Sequence, residues 1–186
     1  MSDQDPSADD SGHQTTKVSD LVEQPQLRRL FDYWCAKRHG APIPKKNDID
    51  PIDISWALSR IFLVDYIPGE GFVYRLAGNE IARVFGRANL KGLNLRDFVK
   101  PERLVIVERA WRRAIEQQCV ISMKGMVYYG ADRTGHGGRL ILPLSGDSGK
   151  EATSLLGMTV CEWEHSDTPA KMRQPDVYFL PVTDIP

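Results

Sequence analysis

The sequence predicts an α+β fold: a five-stranded antiparallel sheet with helices packed on one face, preceded by an N-terminal amphipathic helix. Two β-rich runs, at residues 61–67 and 72–77, are joined by a Pro-Gly-x-Gly turn and predict a hairpin. Three further β-rich runs follow at residues 119–130, 137–145 and 152–164. Because short helical patterns and one long helix separate the two groups, a single sheet with helices on one face is the simplest architecture.

Composition limits the protein to one medium-sized domain with tails. The chain has 186 residues, of which 41% are hydrophobic and 26% charged, and a formal net charge of -1. This balance gives no general attraction to nucleic acid or to an anionic membrane. No apolar run approaches the roughly 20 residues of a membrane span, and the N-terminus lacks the features of a secretory signal. With three widely separated cysteines, we expect a cytoplasmic protein with reduced thiols.

The N-terminal part of the chain divides into a tail and a helix. Residues 1–24 are acidic and carry almost no large apolar side chains, which predicts a disordered tail. An amphipathic helix is expected over residues 25–40, from Pro25 to the stop at Gly40. It must bury its apolar stripe against the sheet or against a copy of itself. The stripe, and hence the candidate dimer interface, is Leu27, Leu30, Phe31 and Trp34.

The main domain is expected over residues 41–165. It opens with a second predicted helix, for which Asp50 is the N-cap and Pro51 the first helical residue. Together with Asp48 and Asp53, Asp50 could instead form a divalent-metal site. Helix capping accounts for two of the three carboxylates, and the central glycine of an oxygen-ligand loop is missing. We therefore predict no metal site.

The stretch from residue 74 to residue 95 leaves the second strand, turns at Gly78 into one short helix and is broken by Gly86 and Gly92. Glycine permits backbone conformations that are closed to other residues. Such an irregular segment can open locally at low cost in free energy. We expect it to fold over one face of the sheet as a wall and to enclose a cavity.

The remaining elements complete the predicted domain. A long helix starts at Pro101, with its apolar stripe running through Leu104, Val107 and Trp111. The last three strands are sequential and are separated by turn-rich segments, so they should be antiparallel neighbours. Residues 166–186 form a Pro-rich tail whose apolar run could dock as an added edge strand, most simply on its own domain.

The predicted cavity has both apolar and polar candidates for its lining. Tyr74 and Arg139 are polar groups that could orient a small ligand. The alternative is a core that side chains fill completely. The candidate lining residues are Tyr74, Leu76, Phe85, Leu95, Phe98, Trp111, Met126, Arg139 and Met158.

Four strings of the sequence, DIDPIDISWALSRIFLVD, FVYRLAGNEI, GRANLKGLNL and PLSGD…LLGM, carry a resemblance to a known family. In combination they resemble a bacterial PAS subfamily long catalogued as a domain of unknown function, over roughly residues 27–163. The resemblance implies a PAS-like fold and a sensory or protein-interaction module, often dimeric, with a small-molecule cavity between sheet and helices. It brings no catalytic residue. We expect a homodimer that also contacts an unknown signalling protein.

The same resemblance argues against the cofactors of other PAS relatives. Flavin-binding relatives need a reactive cysteine on the short helix after the second strand, and residues 77–92 contain none. Haem-binding relatives need an axial histidine on the helical wall, and residues 78–118 contain no histidine. His136 and His165 lie outside that wall. An unidentified small molecule is the remaining candidate ligand.

Two other classes of function have weaker support. The segment 146–149, Gly-Asp-Ser-Gly, is similar to the nucleophile segment of chymotrypsin-like proteases, but it lies in a predicted polar turn of a chain too short for that fold. We expect no enzymatic activity. A nucleic-acid-binding regulator would need a basic patch, and no second helix follows at helix-turn-helix spacing. The residues of such a patch would be Arg28, Arg29, Lys37, Arg38, Lys45 and Lys46. A structural adaptor with a filled core is the main alternative to a sensor.

Overall fold

A computed structural model describes residues 22–129, 133–165 and 174–186 of the chain. Six strands form one antiparallel sheet in the order β2-β1-β5-β4-β3-β6. The strands are β1 (Ile61–Ile67), β2 (Gly71–Ala77), β3 (Cys119–Tyr129), β4 (Arg133–Ser145), β5 (Ala152–His165) and β6 (Asp176–Pro181). The helices are α1 (Pro25–Ala36), α2 (Asn79–Val84) and α3 (Pro101–Glu116), with 3-10 turns at Lys46–Asp48, Ser55–Ala57, Leu95–Asp97 and Val182–Asp184. The predicted α+β class is confirmed.

The pairing of the strands follows the predicted hairpin and meander. β1 pairs with β2 across the turn after Ile67, and β3, β4 and β5 are successive antiparallel neighbours. β4 starts at Arg133, earlier than predicted, because the glycine-rich residues 135–138 pair within the sheet instead of forming a turn. His136 therefore lies in a strand, opposite Met126 of β3 and Glu162 of β5.

The C-terminal residues add a sixth strand to the predicted five. β6 pairs with β3, as expected for an apolar run that docks on its own domain. The chain then continues into the core, where Val182 and Ile185 are buried. Arg38, just after α1, donates hydrogen bonds to the carbonyl oxygens of Ile185 (3.2 Å) and Pro186 (3.0 Å). The predicted Pro-rich tail is thus part of the domain over residues 176–186.

Helices cover both faces of the sheet. We name the face that carries Phe62 and Arg139 the cavity face, and α2 and α3 lie over it. α1 lies on the opposite face, where Leu27 packs against the backbone of Gly138. Trp34 at the end of α1 donates from Nε1 to the carbonyl oxygen of Pro143, at 2.9 Å.

The apolar stripe of α1 is consequently covered by the chain's own sheet. All four stripe residues are buried, which leaves no apolar face on α1 for a second molecule: Leu27, Leu30, Phe31 and Trp34. The interpretation of these residues as a dimer interface is wrong for this reason. Packing also begins earlier than the predicted tail boundary at residue 24, because Val22 is 3% exposed. The rest of that tail, residues 1–21, lies outside the described residues.

The helix predicted from Pro51 is replaced by turns and a single 3-10 turn at Ser55–Ala57. The side chain of Asp50 accepts a hydrogen bond from the backbone N–H of Ile52 at 2.8 Å. This bond closes a tight turn, and such turns compete with helix formation. Ile54 and Ala57 are buried while Ile52 projects into solvent. Two buried residues anchor a turn and are too few to form an amphipathic helical face.

Candidate functional site

The floor of the site is an aromatic layer on the cavity face. Phe62 of β1 lies opposite Gly157 of β5, and its ring occupies the space above that glycine. Trp111 of α3 stacks on Phe62 with ring centroids 5.2 Å apart and planes inclined by 16°. Phe72 meets the same indole edge-on at 5.2 Å. Such contacts fix the height of α3 above the sheet.

The wall is the segment of residues 78–100, which contains α2. Gly78 is required by close packing, because a Cβ there would overlap the backbone of Leu58 and Ser59. The chain does turn at Gly78 from β2 into α2, but the φ of -62° is open to any residue, so the turn does not depend on glycine's conformational freedom. Gly86 and Gly92 do adopt positive φ values, 65° and 83°, as the prediction from glycine's freedom requires.

Two backbone hydrogen bonds attach the wall to the outer edge of β2. Tyr74 donates its N–H to the carbonyl oxygen of Leu93 at 2.9 Å, and Gly92 donates to that of Tyr74 at 2.8 Å. A capping box then starts the 3-10 turn: the backbone N–H of Asn94 donates to Asp97 at 2.7 Å, while the Asn94 side chain accepts from Arg96 at 3.1 Å. The start of the wall is held as well, since Gly78 donates its N–H to the carbonyl oxygen of Ile61 at 2.8 Å and Glu80 donates to that of Ser59 at 3.0 Å.

Between floor, wall and α3 lies a cavity of about 140 Å³. Five of the nine predicted residues line it: Tyr74, Phe85, Leu95, Trp111 and Arg139. Phe98 stands behind this lining, with its ring centroid 5.4 Å from that of Tyr74 and 4.8 Å from that of Phe85. The nine lining residues that sequence reasoning missed are Phe62, Ile81, Val84, Val99, Arg103, Val107, Val127, Tyr128 and Tyr129.

Three predicted lining residues, Leu76, Met126 and Met158, are absent from the lining. Side chains alternate between the two faces of a strand. Met158 pairs with Ile61 and Leu140, one residue out of step with Phe62, so it belongs to the opposite face. Leu76 pairs with Leu63, and the register shift after Leu63 puts Leu76 on the face opposite the cavity. Met126 pairs with His136, which also lies on the face opposite the cavity. The assignment of these three residues to the cavity is wrong because strand register decides the face.

The polar groups of the cavity are two guanidinium groups and three phenols, of which that of Tyr74 is the most deeply buried. Burial raises the pKa of Tyr74, which is 3% exposed, so its hydroxyl stays protonated and able to donate. Arg139 donates from Nε to Thr159 Oγ1 at 2.8 Å and from Nη2 to the carbonyl oxygen of Val127 at 3.2 Å. Its guanidinium carbon lies 4.6 Å from the ring centroid of Tyr128.

Arg103 supplies the second guanidinium group, 3.8 Å from the ring centroid of Tyr129. Within the described parts of the chain, no Asp or Glu lines the cavity. The site thus combines aromatic and aliphatic walls with positive charge. That combination suits a small ligand with an apolar body and an acceptor group.

Other depressions lie at the surface of the domain, and two of them are close to α1 or to the cavity. A groove of about 640 Å³ lies at the end of α1 on the opposite face, but side chains such as Glu23, Lys124 and Glu162 at its border are exposed, which indicates a solvated channel. A pocket of about 200 Å³, smaller than this groove but larger than the cavity, shares Tyr128 with the cavity. Because the cavity is bounded by both sheet and wall, we regard it as the functional site despite its smaller volume.

Most of the basic residues considered for nucleic acid have partners within the domain. Lys37 forms a salt bridge with Asp53 at 3.0 Å, and Lys46 forms one with Asp65 at 3.0 Å. The guanidinium carbon of Arg29 lies 4.3 Å from the ring centroid of Trp56. These contacts distribute the cations among separate acidic and aromatic neighbours.

The described residues offer neither a cluster of metal-ligating side chains nor a helix suited to a membrane. No group of three or more His, Cys, Asp or Glu side chains is arranged there to hold a metal ion. No helix among those residues combines the length and apolarity that crossing a bilayer requires.

Comparison with known proteins identifies the family. The comparison with curated proteins gives no match. A family model described as PAS domain matches residues 22–160, well over half of the chain, from the start of the described N-terminal segment into β5. The match covers α1, the wall, α3 and the five strands that the sequence predicted, which confirms the suspected resemblance. The chain belongs to the PAS domain family.

Proposed function

We propose that this PAS domain is a cytoplasmic sensory module of a signalling system, which binds a small molecule in the cavity and acts through contacts with other proteins, a second copy of itself included. The family supports a sensory or signalling role in general. The proposal that the domain binds a small molecule rests on the cavity of about 140 Å³ between the sheet, the wall and α3. A ligand there would touch all three parts at once.

The proposed mechanism is a shift between two packings of the wall. Phe85 and Leu95 belong to the wall and line the cavity, so a ligand that contacts them favours one arrangement of the segment. Outside α2 the wall is a series of turns with positive φ at Gly86 and Gly92, and such a segment without long regular elements rearranges at low cost in free energy. The free energy available for the change is the difference in ligand affinity between the two packings.

The candidate contact surface for a partner is the outer side of α3. Val105 and Ile106 are 59% and 61% exposed there, although both are large and apolar. Val107, the next residue, lines the cavity together with Trp111. A change in cavity packing that tilts or shifts α3 would therefore move the exposed pair directly. This arrangement supports communication between ligand and partner through one rigid helix.

Native mass spectrometry and ligand-induced stabilisation test the proposal. We expect purified protein to retain a small molecule or to be stabilised by small apolar compounds, since a ligand that binds only the folded state raises the free energy of unfolding. Val107→Phe should fill the cavity and weaken this binding. Val105→Phe adds the same ring on the exposed side of α3 and is the matched control. Absence of any bound or stabilising molecule would favour the structural adaptor with a filled core.

A further inference from the structure

Arg139 brings a positive charge to the cavity, and among the described residues no Asp or Glu lines that cavity. We infer that its ligand is a small organic anion, a monocarboxylate with an apolar body about the size of a benzene ring, and that Arg139 binds the carboxylate. This inference rests on the proposed ligand-binding function and names the chemical class of the ligand.

Arg139 is held in place by neutral groups. Thr159 Oγ1 and the Val127 carbonyl oxygen accept two of its N–H groups, and the ring of Tyr128 lies under the guanidinium plane. A guanidinium group has five N–H donors, so three remain for another acceptor. The two anchoring hydrogen bonds also fix its orientation before a ligand arrives, which reduces the entropy lost on binding.

Among the residues that the structure describes, Arg139 has no carboxylate partner. Over the described parts of the chain, no Asp or Glu forms a salt bridge with Arg139, which is partly buried. The same sheet does compensate buried charge elsewhere: Asp65 on the opposite face accepts hydrogen bonds from Lys46 and Arg75. A partly buried cation that faces a cavity is most favourable when an anion enters that cavity.

Volume and lining define the rest of the ligand. A cavity of about 150 Å³ lined by apolar side chains accommodates benzene, and this one measures about 140 Å³. Phe62, Trp111 and Phe85 offer aromatic surfaces to an apolar body of that size. Nucleotides and other large anions exceed the space. A short branched or aromatic monocarboxylate fits both the volume and the charge.

A row of stacked cations and rings leads from the cavity to the surface. Tyr128 lines both the cavity and the pocket of about 200 Å³, as Ile81 and Val84 do, and it stacks on Trp163 with ring centroids 5.7 Å apart. Arg133 lies 4.6 Å from the Trp163 ring on the other side. Arg83 and Arg133 line this outer pocket together with Glu80, whose carboxylate is already paired with Arg60 at 3.0 Å. Positive charge at the outer end of such a row attracts anions toward the cavity.

The test compares an anion with its neutral isostere in the full-length protein. Sodium benzoate and benzamide are titrated by calorimetry, with isovalerate and isovaleramide as a second pair. We expect saturable binding of at least one carboxylate and at least about tenfold weaker binding of its amide, the loss expected for a charge-assisted hydrogen bond. In NMR spectra the indole N–H signal of Trp111 should shift, while that of Trp34 on the opposite face should not.

Matched arginine variants assign the anion to one residue. Arg139→Gln should weaken carboxylate binding about tenfold or more, and Arg139→Lys should keep the preference for the anion. Arg113→Gln is the control, because that guanidinium lies 4.0 Å from the Phe179 ring, outside the cavity lining. Circular dichroism establishes whether each variant is folded. If Arg139→Gln does not fold, the anion assignment is tested by the preference of Arg139→Lys for the carboxylate and by the comparison of each carboxylate with its amide.

Failure of the inference can be told apart from failure of the proposed function. Equal affinity for benzoate and benzamide, or unchanged binding by folded Arg139→Gln, overturns the anion assignment and leaves the ligand-binding function intact. If neither benzoate nor isovalerate binds, the inference of an anionic ligand is overturned as well. In that case a retained neutral molecule in native mass spectrometry would still support sensing, whereas a protein without any bound molecule would contradict both proposals.

Discussion

The aromatic ring of Phe62 lies directly over the backbone of Gly157, in the space where any other residue would place its Cβ. This contact sets the floor of the cavity, because Trp111 stacks on the far side of the same ring. The layer order of sheet, Phe62 and Trp111 therefore depends on the absence of a side chain at position 157. A single methyl group there would displace the ring toward α3.

We predict that Gly157→Ala destabilises the domain by about 1–3 kcal/mol, the usual cost of forcing extra volume into a packed core. Urea denaturation followed by circular dichroism measures the change. Gly146→Ala is the control, since its Cβ would meet only the end of the Thr153 side chain, at 3.3 Å. That variant should stay within about 0.5 kcal/mol of the parent. Equal stability of the two variants would contradict the proposed floor.

A second prediction concerns the hydrogen bond that holds α1 on the face opposite the cavity. Trp34→Phe removes the donor to the Pro143 carbonyl oxygen and leaves that acceptor unpaired in the core, at an expected cost of about 2 kcal/mol. Trp163→Phe is the matched control, because Trp163 is 38% exposed and should cost less. Light scattering of Trp34→Phe should give the mass of the parent protein, since the stripe of α1 packs within its own chain. A reduced mass would restore α1 as a dimer contact.

Asp65 links stability to pH. Burial alone would raise the pKa of this carboxyl, but the hydrogen bonds from Ser154, Arg75 and Lys46 together outweigh burial and lower it. A lowered folded-state pKa contributes stability that is present above the unfolded-state pKa and is lost as the pH falls through the folded-state value. The contribution is thus complete at neutral pH and disappears in acid.

We therefore predict that Asp65→Asn costs about 2 kcal/mol at pH 7, the range for hydrogen bonds to a charged group. The difference from the parent should begin to shrink as the pH falls below about 4, the ordinary pKa of an unfolded-state Asp, and should vanish only below the lower pKa of the folded state. Urea midpoints measured from neutral pH into acid give the profile. Asp53→Asn, which breaks a 3.0 Å salt bridge of a 44% exposed carboxylate, should cost less than about 1 kcal/mol. A pH-independent effect at position 65 would contradict the mechanism.

Local sequence patterns predicted the helices and strands. The residues that line the cavity depend instead on the register of the strands, which local patterns do not give. The runs that begin at Ile61 and Pro101 became β1 and α3, since periodicity and proline position are local signals. Met158 was misplaced because the face of a strand residue depends on which partner lies opposite. Phe62 was missed because its role depends on Gly157, which is 95 positions away along the chain. No local pattern reports such a contact.

The outer side of α3 supports a last prediction, on self-association. If Val105 and Ile106 form the proposed contact with a second copy, changing both to Glu should lower the mass measured by light scattering from that of a dimer to that of a monomer, because two charges cannot be buried unpaired at an interface. Thermal stability should change little, since both side chains are already exposed in one molecule. Ile52→Glu, at another exposed apolar residue, is the control and should keep the parent mass. An unchanged mass in the double variant would exclude this side of α3 as the homodimer contact.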